Sequence, residues 1–295
     1  MKIRKNNLFD HFNKVLLIFF SVLMLYPFVY IFFTSISDEY AISSGVVKYY
    51  PSGLNVEAYK MVFKNKELGL AYYNSVRYAV FGTIFHICMT SVVAYPFIFK
   101  RFKVNRYVAI FHVITMFVSG GLVPTYLLYR ALGLTNSIWV MILPSAFSIY
   151  AAMVFKTYYQ TMGMELIEAS YIDGANDLKI LFLVLLPLSK PIIATFSLFK
   201  IVEIWNNFFT PLIYFDKERL FPLTLILRKM LIQLDIQTLR AMMLRDIIEA
   251  SQRQQVPIAA FRAASIIVTV MPIICVYPFI QKYFVKGVMI GSLKA

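Results

Sequence analysis

Val15-Leu-Leu-Ile-Phe-Phe-Ser-Val-Leu-Met-Leu-Tyr-Pro-Phe-Val-Tyr-Ile-Phe-Phe-Thr-Ser35 is a run of 21 residues without one charged side chain. A hydrocarbon layer about 30 Å thick is crossed by about 20 apolar residues in a helix, so this stretch predicts a transmembrane span. Charged residues precede it, as in a secretory signal, but no small-residue cleavage site follows, and it reads as a retained first span. Working outward, five further runs meet the same test: 76–99, 108–128, 138–158, 192–213 and 263–284. In lipid a backbone must satisfy its own hydrogen bonds, so all six are expected to be helices, with kinks tolerated at Pro27 and Pro272. The third contains Ser119-Gly120-Gly121 and Pro124, which predict a break: a bend facing a cavity, or a local packing notch. The fourth is flanked by Trp139 and by Tyr158-Tyr159, read as interface anchors. The fold class is therefore all-α integral membrane, one domain over 1–295.

Composition agrees. Of 295 residues 60% are hydrophobic and 15% charged, against about 25% charged in soluble proteins. The net charge of +14 would suggest nucleic acid in a soluble chain. Here the bases sit beside apolar runs, as Lys2, Arg4, Lys5 and Lys14, and as Lys100, Arg101, Lys103 and Arg106. That is the pattern of cytoplasmic flanks. Six spans then put both termini in the cytoplasm, with Lys282, Lys286 and Lys294 in agreement, and put 36–73, 129–137 and 214–261 outside. The last of these mixes Arg228, Lys229, Arg240 and Arg245 with Asp216, Glu218, Asp235, Asp246 and Glu249; long loops carry little topological weight.

Enzyme chemistry is not indicated: the sequence has no nucleophile elbow, no His-Glu-x-x-His and no Cys–His pairing. Cys88 and Cys275 read as inert core thiols. His11, His86 and His112 lack metal-ligand spacing; His86, Thr90, His112 and Thr115 are polar side chains within spans two and three, and a lone histidine in a span is expected to be a packed, hydrogen-bonded residue rather than a ligand. An ion-gradient-driven secondary sugar transporter is the alternative class; it predicts an internal repeat and charged broken helices, and no clear repeat is visible.

The segment between spans four and five, about 159–191, falls on the cytoplasmic side. It contains Met164-Glu-Leu-Ile-Glu-Ala-Ser-Tyr-Ile-Asp-Gly-Ala-Asn-Asp-Leu-Lys-Ile-Leu-Phe-Leu-Val-Leu-Leu-Pro187. Two short helical patterns meet at Gly174, where glycine permits a sharp turn. Acidic Glu165, Glu168 and Asp173 argue against a phosphate backbone as partner; a bent element facing another protein fits better.

That segment resembles the permease signature of binding-protein-dependent ABC importers. In it Glu-Ala-Ala is followed by Gly, then by an aliphatic residue two before Leu-Pro. Here the pattern is Glu168-Ala169-Ser170, Gly174, Val184 and Leu186-Pro187. The whole chain resembles the sugar-importing branch, including the smaller maltose-transporter permease and the permeases for polysaccharide fragments. Tyr50-Pro51-Ser52-Gly53-Leu54-Asn55 with Tyr59, Asn74-Ser75, Trp205-Asn206-Asn207-Phe208 and Phe221-Pro222-Leu223-Thr224-Leu225 resemble that branch's minor motifs. The resemblance implies a type I ABC importer permease in a bacterial inner membrane, six spans with a coupling loop at 163–187, translocating an oligosaccharide such as a uronate-bearing fragment. It implies a homologous second permease, two ATPase subunits and an extracytoplasmic sugar-binding protein. ATP and Mg would be bound by the ATPases, since this chain has no phosphate-binding loop.

Carried over by position, Glu168 would make the charged contact with the ATPase, the alternative being a helix-capping or solubilising role. Ala169 and Ser170 would permit close docking, Gly174 would set the bend, and Leu186 and Pro187 would end the second short helix. For the substrate path, Glu203 stands out because acidic groups inside spans are costly. Asn206 and Asn207 lie three and four residues on and share its face; Trp205 is turned about 200° away. The expectation is that Glu203, Asn206 and Asn207 face a polar interior and that Trp205 anchors a neighbouring helix. Interhelical packing between permeases is the competing reading. With an anionic cargo, Glu203 is expected to pair across the subunit interface.

Overall fold

The computed structural model describes residues 7–99, 104–118, 120–244 and 258–292. Several charges used for topology lie outside them: Lys2, Arg4, Lys5, Lys100, Arg101, Lys103, Arg245, Asp246, Glu249 and Lys294. So does Ser119, and so do the side chains of Arg106, Asp235, Arg240, Lys282 and Lys286.

Among the described residues the regular structure is helical. In chain order the helices are α1 (Asn7–Ser35), α2 (Glu39–Ser43), α3 (Glu57–Lys64), α4 (Lys66–Ala94), α5 (Val104–Phe117), α6 (Leu122–Ala131), α7 (Trp139–Ser145), α8 (Ile149–Thr161), α9 (Met164–Ile172), α10 (Asp177–Leu188), α11 (Lys190–Asn206), α12 (Phe209–Tyr214), α13 (Leu223–Leu244) and α14 (Ile258–Ser292). Among the described residues, three helices are long and apolar enough to cross a membrane, and the number rises to six if each of three bent pairs is one span.

The first span is continuous through Pro27, and α14 runs through Pro272 and Pro278. The second begins earlier than the hydropathy suggested, at Lys66. The third breaks between Phe117 and Leu122, where the sequence placed Gly120-Gly121, and its halves diverge by 116°. Gly121 there has φ +83°, a backbone region open to glycine and strained for other residues.

Two spans differ from expectation. The fourth is not one rod: it bends by 54° between α7 and α8. Pro144, which cannot donate to the turn before it, lies in the last turn of α7, and Ser148 caps α8 by accepting from Ala151 N at 3.4 Å. The fifth ends at Asn206, not 213, because Asn207 is extended and starts a new turn. The 214–261 segment also holds more than a loop, since α13 occupies 22 residues of it.

The chain forms two compact units, Met1–Gly69 with Leu227–Met271, and Leu70–Ile226 with Pro272–Ala295. In the first, the motif at 50–55 folds back on the end of α1. Asn55 N donates to Ile36 O at 2.8 Å, Asp38 N to Ser52 O at 3.0 Å, and Ser35 Oγ bonds Tyr59 OH at 2.8 Å. Gly53 is required there: φ is +64°, and a Cβ would sit 2.8 Å from Asp38 Cβ.

The second unit holds the main core. Ala94, Tyr95, Ile98, Ala151, Phe155, Tyr159, Ile167, Ile180, Leu181, Leu185 and Phe196 pack into one cluster. Tyr159 lies fully inside it, edge-on to Phe155 at 6.0 Å. It is therefore a core residue and not an interface anchor, because its face of α8 meets α4 and the α9–α10 element. Cys88 and Cys275 are exposed, so neither is a core thiol. His86 behaves as expected: it is buried, and its Nδ1 donates to Ser145 O at 2.9 Å.

Candidate coupling and substrate-path sites

The signature residues build a bent two-helix element. Gly163, with φ +87°, starts α9. Along α9, Ile167 is buried in the core, and the next residues, Glu168 and Ala169, are exposed. Ser170 is half-buried and donates back to Leu166 O at 2.8 Å, so its hydroxyl is satisfied within the helix. Ile172 is 86% exposed. The helix ends in a tight turn, with Asp173 N to Ala169 O at 3.0 Å, Gly174 N to Tyr171 O at 3.0 Å and Ala175 N to Ser170 O at 3.0 Å. Gly174 takes φ +79°, the left-handed conformation the sequence reading required of it. A Cβ there would meet nothing within 4 Å, so within this chain a larger residue is opposed by backbone strain and not by a clash.

Asn176 caps α10, accepting from Lys179 N at 2.9 Å. Residues 180–185 then widen into a π-helical stretch, a geometry that marks functional segments more often than ordinary ones. It turns Ile180, Leu181 and Leu185 into the core and leaves Phe182 and Leu183 exposed. Leu186 and Pro187 form the last turn before an 83° bend into α11. The element thus has a buried side, formed by Ile167, Ile180 and Leu181, and an exposed side carrying Glu168, Ala169, Ile172 and Leu178.

Three side chains missed at the sequence level join the element to the rest of the unit. Asp177 Oδ1 accepts from Tyr95 OH at 2.8 Å and also from Tyr171 OH, and the two phenol oxygens are 3.4 Å apart. Tyr171 and Asp177 were on view in the quoted segment; nothing local marks Tyr95.

On α11 the structure separates the proposed path residues into two faces. Trp205 is buried, edge-on to Tyr72 at 5.8 Å, and lines an apolar cavity of about 180 Å³ with Val76, Val80, Ile201 and Pro272. Glu203 and Asn206 lie together on the exposed side. Asn207 is half-buried and serves the backbone: its Oδ1 accepts from Thr210 N and its Nδ2 donates to Thr210 Oγ1, both at 3.0 Å.

Glu203 has an ion-pair partner within this chain. Lys200 Nζ donates to Glu203 Oε1 at 2.8 Å, with Lys200 5% exposed and Glu203 62% exposed. The signal was present in the sequence as an i, i+3 pair of opposite sign. The weak motifs converge as well. Asn74 Nδ2 donates to Arg219 O at 2.9 Å and Phe221 O at 3.2 Å, Leu223 N donates to Ser75 Oγ at 2.8 Å, and Tyr78 OH donates to Leu220 O at 2.8 Å.

Known proteins account for this architecture. The family model described as "Binding-protein-dependent transport system inner membrane component" matches residues 4–290. Protein LplC of Bacillus subtilis is 32% identical over 99% of this chain and 96% of its own length. The polygalacturonan/rhamnogalacturonan transport system permease protein YtcP of the same organism is 33% identical over 98% and 99%. A crystal structure of a bacterial ABC transporter involved in the import of the acidic polysaccharide alginate contains a chain that superposes with TM-score 0.84 at 30% identity, covering 96% of this chain and 99% of that one. The secondary-transporter alternative is thereby set aside. A six-span pattern, a signature folded as an exposed two-helix element, and matches over nearly the full length place this chain in the family of binding-protein-dependent transport system inner membrane components, the non-catalytic membrane subunits of ABC importers.

Proposed function

We propose that this chain is one of two homologous permeases importing an acidic oligosaccharide, with 163–187 as its contact with an ATPase subunit and the Glu203–Asn206 face of α11 lining the path. A binding protein delivers the sugar from outside, two ATPase subunits bind ATP and Mg, and both termini of this chain lie in the cytoplasm. One observation carries the coupling part: Glu168 and Ala169 stand exposed on an element whose opposite side is fixed in the core. A charged group and a small one, flanked by apolar Ile172 and Leu178, suit a groove with a basic contact and little room.

The substrate class rests on two relatives, whose names include polygalacturonan and alginate, and on the charge balance of α11. A lone carboxylate on the path would repel a uronate. Lys200 neutralises Glu203 from the buried side, so the face presents hydrogen-bonding groups with no net charge. Sugars are held by such polar groups at fixed positions. Asn206 is placed to contribute its amide, and Trp205, on the far side of the helix, to packing alone.

The test is reconstitution of the complete transporter with its binding protein in vesicles. ATP-dependent uptake of oligogalacturonate, not competed by neutral malto-oligosaccharides, is expected. Preferential uptake of the neutral sugars would refute the substrate class. Glu168→Ala is expected to lower uptake while sugar capture by the binding protein stays unchanged; equal uptake at equal membrane levels would remove Glu168 from the coupling role.

A further inference from the structure

We propose that Tyr95, Tyr171 and Asp177 form a clamp that fixes the coupling element to one end of α4, and that α4 carries the element's movement to the segment 219–223 at its other end. The proposal rests on the reading of 163–187 as the coupling element.

The need for a clamp follows from how α9 is held. Its exposed face bears Glu168, Ala169 and Ile172, and its one fully buried side chain is Ile167. A force applied to that face would rock the helix about Ile167 unless a second contact, away from it, resisted. Asp177 supplies one. It is the first residue of α10, across the Gly174 turn, and its Oδ1 accepts from the phenol of Tyr171 in the last turn of α9 and from that of Tyr95. Hydrogen bonds to an ionised acceptor are stronger than neutral ones. One carboxylate therefore locks both halves of the element together and both to Tyr95.

Tyr95 directly follows the last residue of α4. Its ring is buried and edge-on to Phe99 at 5.3 Å. From there α4 runs back without proline to Asn74, Ser75 and Tyr78, whose side chains hold the backbone at 219, 220, 221 and 223. Twenty-one residues separate Asn74 from Tyr95, which is about 32 Å of helix at about 1.5 Å per residue and matches a hydrocarbon layer of about 30 Å. A helix of this length, packed along its course and pinned at both ends, moves as a rigid element, and rigid elements are what transmit displacement between distant sites.

The experiment measures sugar imported per ATP hydrolysed by the complete transporter in vesicles. Tyr95→Phe keeps the ring in its aromatic packing and removes the hydroxyl. The ratio is expected to fall about twofold or more, at wild-type membrane levels and melting temperature. Tyr171→Phe, at an exposed position, is the second variant should Tyr95→Phe fail to assemble, and Asn74→Ala at the far end is expected to lower the ratio too. An unchanged ratio in both Phe variants overturns the clamp. A lowered ratio in those variants with an unchanged one in Asn74→Ala leaves the clamp and overturns α4 as the carrier. Glu168→Ala and Gly174→Asp serve as reference. If they uncouple while the Phe variants do not, the clamp alone is wrong; if none uncouples, the coupling reading of 163–187 is wrong and the clamp falls with it.

Discussion

Lys200 sets what the exposed face of α11 can offer. Helix periodicity was enough to part Trp205 from Glu203 and Asn206, because an angle of about 200° cannot be reconciled with one narrow lining. Lys200 went unread because Glu203 was treated as a lone acid, though the base lies one turn before it. The roles of the two charges are unequal, since Lys200 is buried and Glu203 is not. Glu203→Gln orphans a buried ammonium, a larger penalty than loss of an exposed pair. Lys200→Met instead frees a carboxylate at the surface. Repulsion between two unit charges at about 4 Å in water is about 1 kcal/mol, so the half-saturation concentration for a uronate oligomer is expected to rise about fivefold in Lys200→Met, with a neutral sugar little affected. Lys200→Met combined with Glu203→Gln removes both charges and should recover much of the uronate affinity. Uptake kinetics with both sugars decide it: equal shifts for charged and neutral sugars in Lys200→Met would exclude a charge effect at the path. Asn206→Ala is expected to raise the half-saturation concentration for any sugar, whereas Trp205→Phe, acting on packing, should leave sugar preference alone; the reverse outcome would mean the two faces are misassigned.

At the level of elements, hydropathy located each span, and glycine and proline located some of the breaks. Gly120-Gly121 announced the interruption of the third span, and Gly174 the turn of the coupling element, because both places use backbone that glycine tolerates best. The 54° bend of the fourth span and the early end of the fifth were not legible in the same way. Pro144 and Asn207 sit within apolar runs that satisfy a length criterion whether the helix is straight or broken. The π-helical stretch at 180–185 depends on which of several leucines enter the core, which no local pattern decides. Gly82 shows the same limit. Nothing in the surrounding sequence marks it, yet a Cβ there would come within 2.6 Å of Ile204 Cδ1. Small residues permit such close approach of helices in membranes. Since the obstructing atom is the tip of a flexible side chain, Gly82→Ala is expected to melt close to wild type. Gly82→Leu should push α4 and α11 apart and destabilise by about 1–3 kcal/mol. Ile204→Ala in the Gly82→Leu background should restore part of the loss. Thermal unfolding in detergent would measure all three, and a Gly82→Leu protein as stable as the parent would show that the helices do not need this approach.

For the whole molecule the open quantity is parity, and α13 decides it. The 214–261 region contains a helix of 22 residues, long enough in principle to cross a bilayer. If it crossed, there would be seven spans and the termini would lie on opposite sides. Its sequence includes Arg228, Lys229, Asp235 and Arg240; Asp235 lies near its midpoint, where a charge costs about 2.5–3.5 kcal/mol on insertion scales, and the three bases add smaller costs nearer its ends. Four charges in 22 residues oppose insertion, so α13 is expected to stay outside the hydrocarbon, six spans remain, and both termini share one side. With the basic flanks at 2–14 and 100–106 on the cytoplasmic side, as the positive-inside rule leads one to expect, the α9–α10 element would lie where an ATPase can reach it and α13 where a binding protein can. Labelling checks both steps. With Cys88 and Cys275 replaced by Ser, Gln233→Cys on α13 should react with a membrane-impermeant maleimide on intact cells, and Asp173→Cys at the tip of the coupling element only after permeabilisation. Both positions are exposed in the fold, so failure to react is not due to burial within this chain, and reaction of Asp173→Cys is compared with the ATPase subunits present and removed. The opposite pattern would invert the orientation; reaction of both from outside would mean that an even number of crossings separates them, and that the span count between them is wrong.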